Sequence, residues 1–248
     1  MAAGDVITIV EDNMAKKGVY FDGTDDYILV DAHAVERVAA NDTTGTYTAW
    51  IYVNKAFSAT YQTILSAGDN DSENEYLELF VDLDTTTNLG RVRALLRQGG
   101  DRKWFITQTT GTLLTKRWYH VALVQNGTQP ALYLDGINIA VTNTIETDLT
   151  MWYDELANCD KFAIGVRESN GTHTNDFTGA IGQVKYWSRA LSSDEVYKDF
   201  NGETLSNGDY PDSTYLRLNI TMENDGKTDS GAGADNGTLT GHAHYGGY

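Results

Sequence analysis

Residues 131–141 read ALYLDGINIAV, and this stretch constrains the chain more than any other. Side chains alternate on both sides of Asp135-Gly136, a pair that readily takes the positive φ angles of a two-residue hairpin turn. Strands joined by so short a turn must pair antiparallel. Alternating runs recur at Thr46–Val53, Tyr76–Leu83, Arg91–Arg97, Trp118–Gln125, Lys161–Gly165, Ala180–Trp187 and Tyr215–Ile220. Between them stand the turn signals Asp22-Gly23, Asn126-Gly127 and Asn170-Gly171. Many short strands at this spacing predict an all-β sandwich of antiparallel sheets.

The rest of the composition agrees. Fifteen tyrosines and only two prolines in 248 residues favour strands. A chain of this length buries about 70% of its unfolded surface, so its core needs no staples. Cys159 stands alone, which excludes a disulfide within the chain. One helix start is legible: Ser192 with Glu195 three positions on is a capping box, Asp194 suits the positive end of the dipole, and Val196 and Phe200 share a face.

These signals predict a two-sheet antiparallel jelly roll with one short C-terminal-side helix. No linker divides it, so 1–248 is expected to be one domain. Residues 1–17 form an N-terminal arm, and 214–248 a strand plus a Gly/Asp-rich tail returning to the sandwich. That strand pairs beside the N-terminal strand of its own chain or is donated to a neighbouring copy.

With the strands placed, the chain resembles laminin-G-like domains of the concanavalin A-like lectin/glucanase jelly-roll superfamily. The likeness is carried by GVYFDGTDDYILV (18–30), TYTAWIYVNKA (46–56), RWYHVALVQNGTQPALYLDGINIA (117–140) and FTGAIGQVKYWSRALSSDEV (177–196). The resemblance implies that the last segment closes the sandwich, with Ala190-Leu191 as a plug. It also implies a structural calcium, but Gly182 occupies the place where relatives carry an aspartate. Calcium is therefore doubtful. Asp22, Asp25 and Asp26 remain as oxygen donors, or form a solvated acidic turn.

The superfamily includes laminarinase-type hydrolases, so paired carboxylates matter. Retaining hydrolysis needs two about 5–5.5 Å apart. The nearest match is Glu73-Asn-Glu75-Tyr-Leu-Glu78, in which Glu73 and Glu75 share a strand face and Glu78 points the other way. No nucleophile elbow, phosphate loop or metal helix is present, and no enzyme is expected. His120 reads as a packed strand residue on the face of Trp118, Ala122 and Val124.

Binding is the activity left open. Candidate ligand contacts lie in loops: Asp71, Arg102, Trp104, Trp152, Tyr153, Asp154, Asn170 and His173. A hairpin of Tyr76–Leu83 with Arg91–Arg97 sets Asp82 opposite Arg91 and Phe80 opposite Arg93, each charge pair contributing roughly 0.2–1 kcal/mol. Arg91, Arg93 and Arg97 then share a face, as cross-strand partners or as receivers of an acidic glycan.

The net charge of 18 − 35 = −17 argues against nucleic acid. No run approaches the roughly 20 apolar residues of a membrane insertion. The N-terminus lacks a signal peptide, so synthesis in the cytoplasm is expected. These features suit a non-catalytic virion protein, such as a phage decoration, fibre or tail component. It would stand on the virion surface, or outside the cell after release, and contact further copies, other virion proteins or cell-surface glycans. The alternative is a solitary carbohydrate-binding module; a laminarinase-type hydrolase is the third reading.

Overall fold

The Asp135-Gly136 turn forms as expected, with φ of 49° and 77°. It joins Pro130–Leu134 to Ile137–Asn138 at the edge of an eight-stranded sheet. The structure is a computed structural model describing residues 17–54, 56–57, 60–203, 205, 215–222, 236–240 and 244–247. Of the arm expected over 1–17, residues 1–16 lie outside the described residues, and Lys17 opens the strand Lys17–Asp22.

Inward from that edge the first sheet runs through Trp118–Gln125, Gly45–Val53 and Thr178–Trp187. The far side of Thr178–Trp187 is shared. Lys17–Asp22 pairs with its first half and Leu216–Ile220 with its second, and His244–Gly247 lies beyond Lys17–Asp22. The second sheet has the order Val141–Glu146, Asp101–Gln108, Leu89–Gln98, Ser72–Asp84, Gln62–Asp69, Lys161–Ile164, Tyr27–Leu29 and Thr238–Thr240. Among the described residues every pairing is antiparallel.

Alternation packs one face of each sheet into a common core. Val19, Phe21, Ile51, Val121 and Ile181 of the first sheet meet Leu65, Leu77, Leu79, Val92 and Ile106 of the second. Burial of such side chains contributes about 1.5–3 kcal/mol each, and it fixes which face of every strand looks outward.

Among the described residues there are two α-helices, where the sequence predicts one. The expected helix spans Ser193–Phe200. Ser192 caps it, with its Oγ accepting from the Glu195 N–H and Glu195 accepting from the Ser192 N–H. Leu191 and Val196 seal a smaller apolar cluster against Ala122, Val124 and Trp187 on the outside of the first sheet. His120 lies at the same face, buried, with Nε2 3.1 Å from Asp199 of this helix. The additional helix, Asp31–Ala40, has Val30 at its N-cap with no side-chain bond. It carries no capping signal to read, and is held instead by burying His33, Ala34 and Arg37. Among the described residues no helix is long and apolar enough to cross a membrane.

Candidate functional site on the outer face of the second sheet

Leu77, Leu79 and Val81 enter the core, so Tyr76, Glu78, Phe80 and Asp82 stand on the outer face of the same strand. Next to it, Val92, Ala94 and Leu96 point inward and leave Arg91, Arg93, Leu95 and Arg97 outside. The register is the expected one, with Asp82 opposite Arg91 and Phe80 opposite Arg93. Tyr76, Phe80, Leu95 and Phe105 form a separate apolar layer on this face, joined by Tyr61 and Ile145.

That layer is roofed by guanidinium groups. Asp82 accepts from Arg91 Nε at 2.8 Å and from Arg93 Nη1 at 2.6 Å, so the cross-strand reading of these arginines holds. The Arg93 guanidinium carbon also sits 4.2 Å from the Phe105 ring centre, 5.4 Å from Tyr61 and 5.7 Å from Phe80. Arg102 lies 5.3 Å from Phe105, and Arg167 lies 5.3 Å from Tyr76. A planar guanidinium can stack on a ring while keeping its N–H groups at the edge free to donate, which a lysine cannot do.

A two-stranded hairpin, Arg167–Ser169 with Thr172–Thr174, lies across one side of this face. Ser66 fixes it: its Oγ donates to the Val166 carbonyl and accepts from the Glu168 N–H, both at 3.0 Å. Gly68 permits the close approach, because a Cβ there would stand 2.3 Å from the Glu168 carbonyl oxygen. Beneath lies Glu78, fully buried, with Oε1 accepting from Thr63 Oγ1 and Asn175 Nδ2 and Oε2 without a partner. Burial raises the Glu78 carboxyl above its usual range, against the opposing pull of Thr63 and Arg167. It is thereby disposed to hold a proton.

Two cavities open around this surface. One of about 440 Å³ is lined by Arg97, Gly100, Asp101, Arg102, Ile145 and Thr147. The other, about 180 Å³, lies at Tyr61, Gln62, Asn175, Asp176 and Thr178, beside Gly23. The acidic turn is close to the second. Asp22, Asp25 and Asp26 bring their oxygens within 4.8 Å of one another. Asp26 accepts from the Asp22 N–H and Asp22 from the Thr24 N–H, as in a self-capped turn. Calcium takes roughly 6–8 oxygens, and here one oxygen each of Asp26 and Asp22 is already bonded to a backbone N–H.

The loop residues expected to bind fare unequally. Trp104, Trp152 and Tyr153 are each 0% exposed, which corrects the expectation that they stack on a ligand. Trp104 faces inward on its strand and donates to the Met151 carbonyl. Trp152 donates to the Tyr186 hydroxyl, which in turn donates to Asp42, and Tyr153 bonds Tyr47. These groups tie Trp152-Tyr153 and the Asp31–Ala40 helix to the core, because buried Tyr and Trp polar atoms need partners. Asp154 is half-buried beside them, its N–H on the Asp42 carbonyl, away from the outer face of the sheet.

Arg102 is exposed on the face itself. Asp71 and Asn170 are exposed at adjoining turns, the Asn170 N–H donating to the Asp69 carbonyl. His173 is exposed at the hairpin, where it pairs with buried Glu168 and packs 4.1 Å from the Tyr27 ring. Sequence reasoning passed over Tyr61, Phe105 and Arg167. Phe105 carried a signal, since it alternates with Trp104 and so must face the other way; Tyr61 and Arg167 join the face only through tertiary contacts.

The paired-acid motif does not assemble. Glu75 turns to the N–H and side chain of Asn158, Glu73 is exposed, and Glu78 lies under the hairpin. The next acid along the strand on the face of Glu78 is Asp82, beyond Phe80, and it is already held by two arginines.

Residues 22–197 match the concanavalin A-like lectin/glucanases superfamily, and the chain belongs to it. No curated protein matches the chain. Among solved structures, the fold is similar to the CBM40 module of the Ruminococcus gnavus IT-sialidase (TM-score 0.59, 20% identity, 75% of this chain and 97% of that one). It is also similar to a SAP-like pentraxin from Limulus polyphemus (0.55, 14% identity, 94% and 95%). A third is the leech intramolecular trans-sialidase (0.60, 20% identity, 82% of this chain and 30% of that one).

Proposed function

We propose that this chain is a non-catalytic carbohydrate-binding module whose site is the outer face of the second sheet. The observation that carries it is the layer Tyr76, Phe80, Leu95 and Phe105 roofed by guanidinium planes and flanked by two cavities. The rings beneath are themselves buried, so what this surface presents to a sugar is the guanidinium planes that cover them, with fixed N–H donors for hydroxyls and little side-chain entropy left to lose. The similar CBM40 module is named as bound to α2,3-sialyllactose in one structure, which supports a sugar as ligand. This puts carbohydrate binding ahead of the virion structural role, for which the outer face offers no argument. Of the acids near Glu78 in its strand, Glu75 is held by Asn158 and Asp82 by two arginines, which supports binding without cleavage.

A glycan array probed with the full chain tests the proposal. Selective binding to one sugar class, lost in Arg93→Ala with the fold retained, is expected. Absence of binding to every glycan would overturn it, as would hydrolysis of a bound oligosaccharide abolished by Glu78→Gln.

A further inference from the structure

We infer that the sugar bound on this face is anionic, and that its carboxylate or sulfate sits in the Arg97–Arg102 cavity. This rests on the carbohydrate reading above and specifies its ligand. The chain as a whole carries 35 acids against 18 lysines and arginines. On the outer face arginines predominate: Arg91, Arg93, Arg97, Arg102 and Arg167 gather there, with Asp82 held by two of them, Glu78 buried and Asp101 exposed at the edge.

Asp82 satisfies only Arg91 and Arg93. Among the described residues, Arg97, Arg102 and Arg167 have no carboxylate partner. Glu78, also on this face, is fully buried, has one oxygen unpartnered and offers no exposed charge.

The cavity itself is built. Arg97 Nε donates to the Gly100 carbonyl at 2.9 Å, which fixes the direction of its guanidinium. The turn that presents this carbonyl needs Gly99 and Gly100, with φ of 60° and 86°. The Gly100 N–H is anchored to the Asn74 carbonyl. Arg102, exposed, leans over Phe105 from the other side, and Ile145 supplies an apolar wall. The acid in the lining is the exposed Asp101. Two guanidiniums beside an apolar wall match a sugar ring that carries a planar or tetrahedral anion, since their paired N–H groups bond such oxygens in parallel. A volume of about 440 Å³ falls in the range of small-ligand sites.

The test is calorimetric titration of the full chain with a galacturonate trisaccharide, a sulfated galactan trisaccharide and the uncharged galactose trisaccharide. At least one anionic sugar is expected to bind about tenfold or more tightly than the neutral one, as charge-assisted bonds require. Its affinity should fall as salt rises from about 0.05 to 0.5 M. Arg102→Gln, at an exposed position, and Arg97→Gln should each weaken it about tenfold while leaving the circular dichroism unchanged. Equal binding of the neutral sugar, or anionic binding untouched by both substitutions, would overturn the inference and leave the carbohydrate reading standing. No binding of any sugar would overturn both.

Discussion

The Arg93 guanidinium lies 4.2 Å from the Phe105 ring centre while its Nη1 holds Asp82 at 2.6 Å. One side chain thus covers an apolar layer and neutralises a buried acid. The outer face of the second sheet can remain uncovered by protein because its rings are already shielded by groups that water accepts.

Removing that roof has a measurable cost. Arg93→Ala uncovers Phe80 and Phe105 and leaves Asp82 to Arg91 alone, so a loss of about 2 kcal/mol is expected in urea unfolding. Arg93→Lys should recover less than half of it, because an ammonium cannot stack and bond together. Full recovery by lysine would show that charge alone matters there.

Acid should weaken the C-terminal-side helix. Arg189, followed by the Ser192 N–H, holds the Glu195 carboxyl down to about 2. An unfolded glutamate titrates near about 4.3. The folded pKa is the lower one, so this stabilisation is complete above about pH 4.3 and is lost as pH falls toward about 2. Burial would raise Asp199, but Lys185 and His120 outweigh it and hold it below the carboxylate range, adding loss in the same direction. Urea midpoints should therefore fall through that window, and Glu195→Gln should flatten the fall while costing about 1 kcal/mol at neutral pH. An unchanged slope in the variant would refute the assignment.

Gly68 sets the hairpin against the sheet. In Gly68→Ala the added Cβ would meet the Glu168 carbonyl oxygen at 2.3 Å, so the backbone must move. Amide resonances of residues 166–174 should shift, and glycan affinity should fall severalfold as Arg167 leaves Tyr76. Stability should drop by only about 1–2 kcal/mol, because the core is untouched. Unshifted resonances would mean that the hairpin is not seated as described.

The two sheets were legible because alternation, turn residues and a capping box are local properties. ALYLDGINIAV, the pairing of Asp82 with Arg91, and Ser192 with Glu195 could each be placed from spacing alone. The Asp31–Ala40 helix could not, since Val30 offers no cap and the helix exists through what it buries. Trp104, Trp152 and Tyr153 misled for a related reason. An aromatic in a loop-like segment carries no mark of whether it faces solvent or a buried partner such as Tyr186 or Tyr47.

The sequence by itself determined that strands would pair antiparallel, which face of each would be apolar, and where the chain would turn, because period-two alternation and positive φ depend on neighbours a few residues away. Only the tertiary structure decided that Tyr61, Arg93, Phe105 and Arg167 share one surface and that Glu78 lies beneath them. Those residues meet by packing separate strands and a folded-over hairpin, and no local rule encodes which distant segment will cover an outer face.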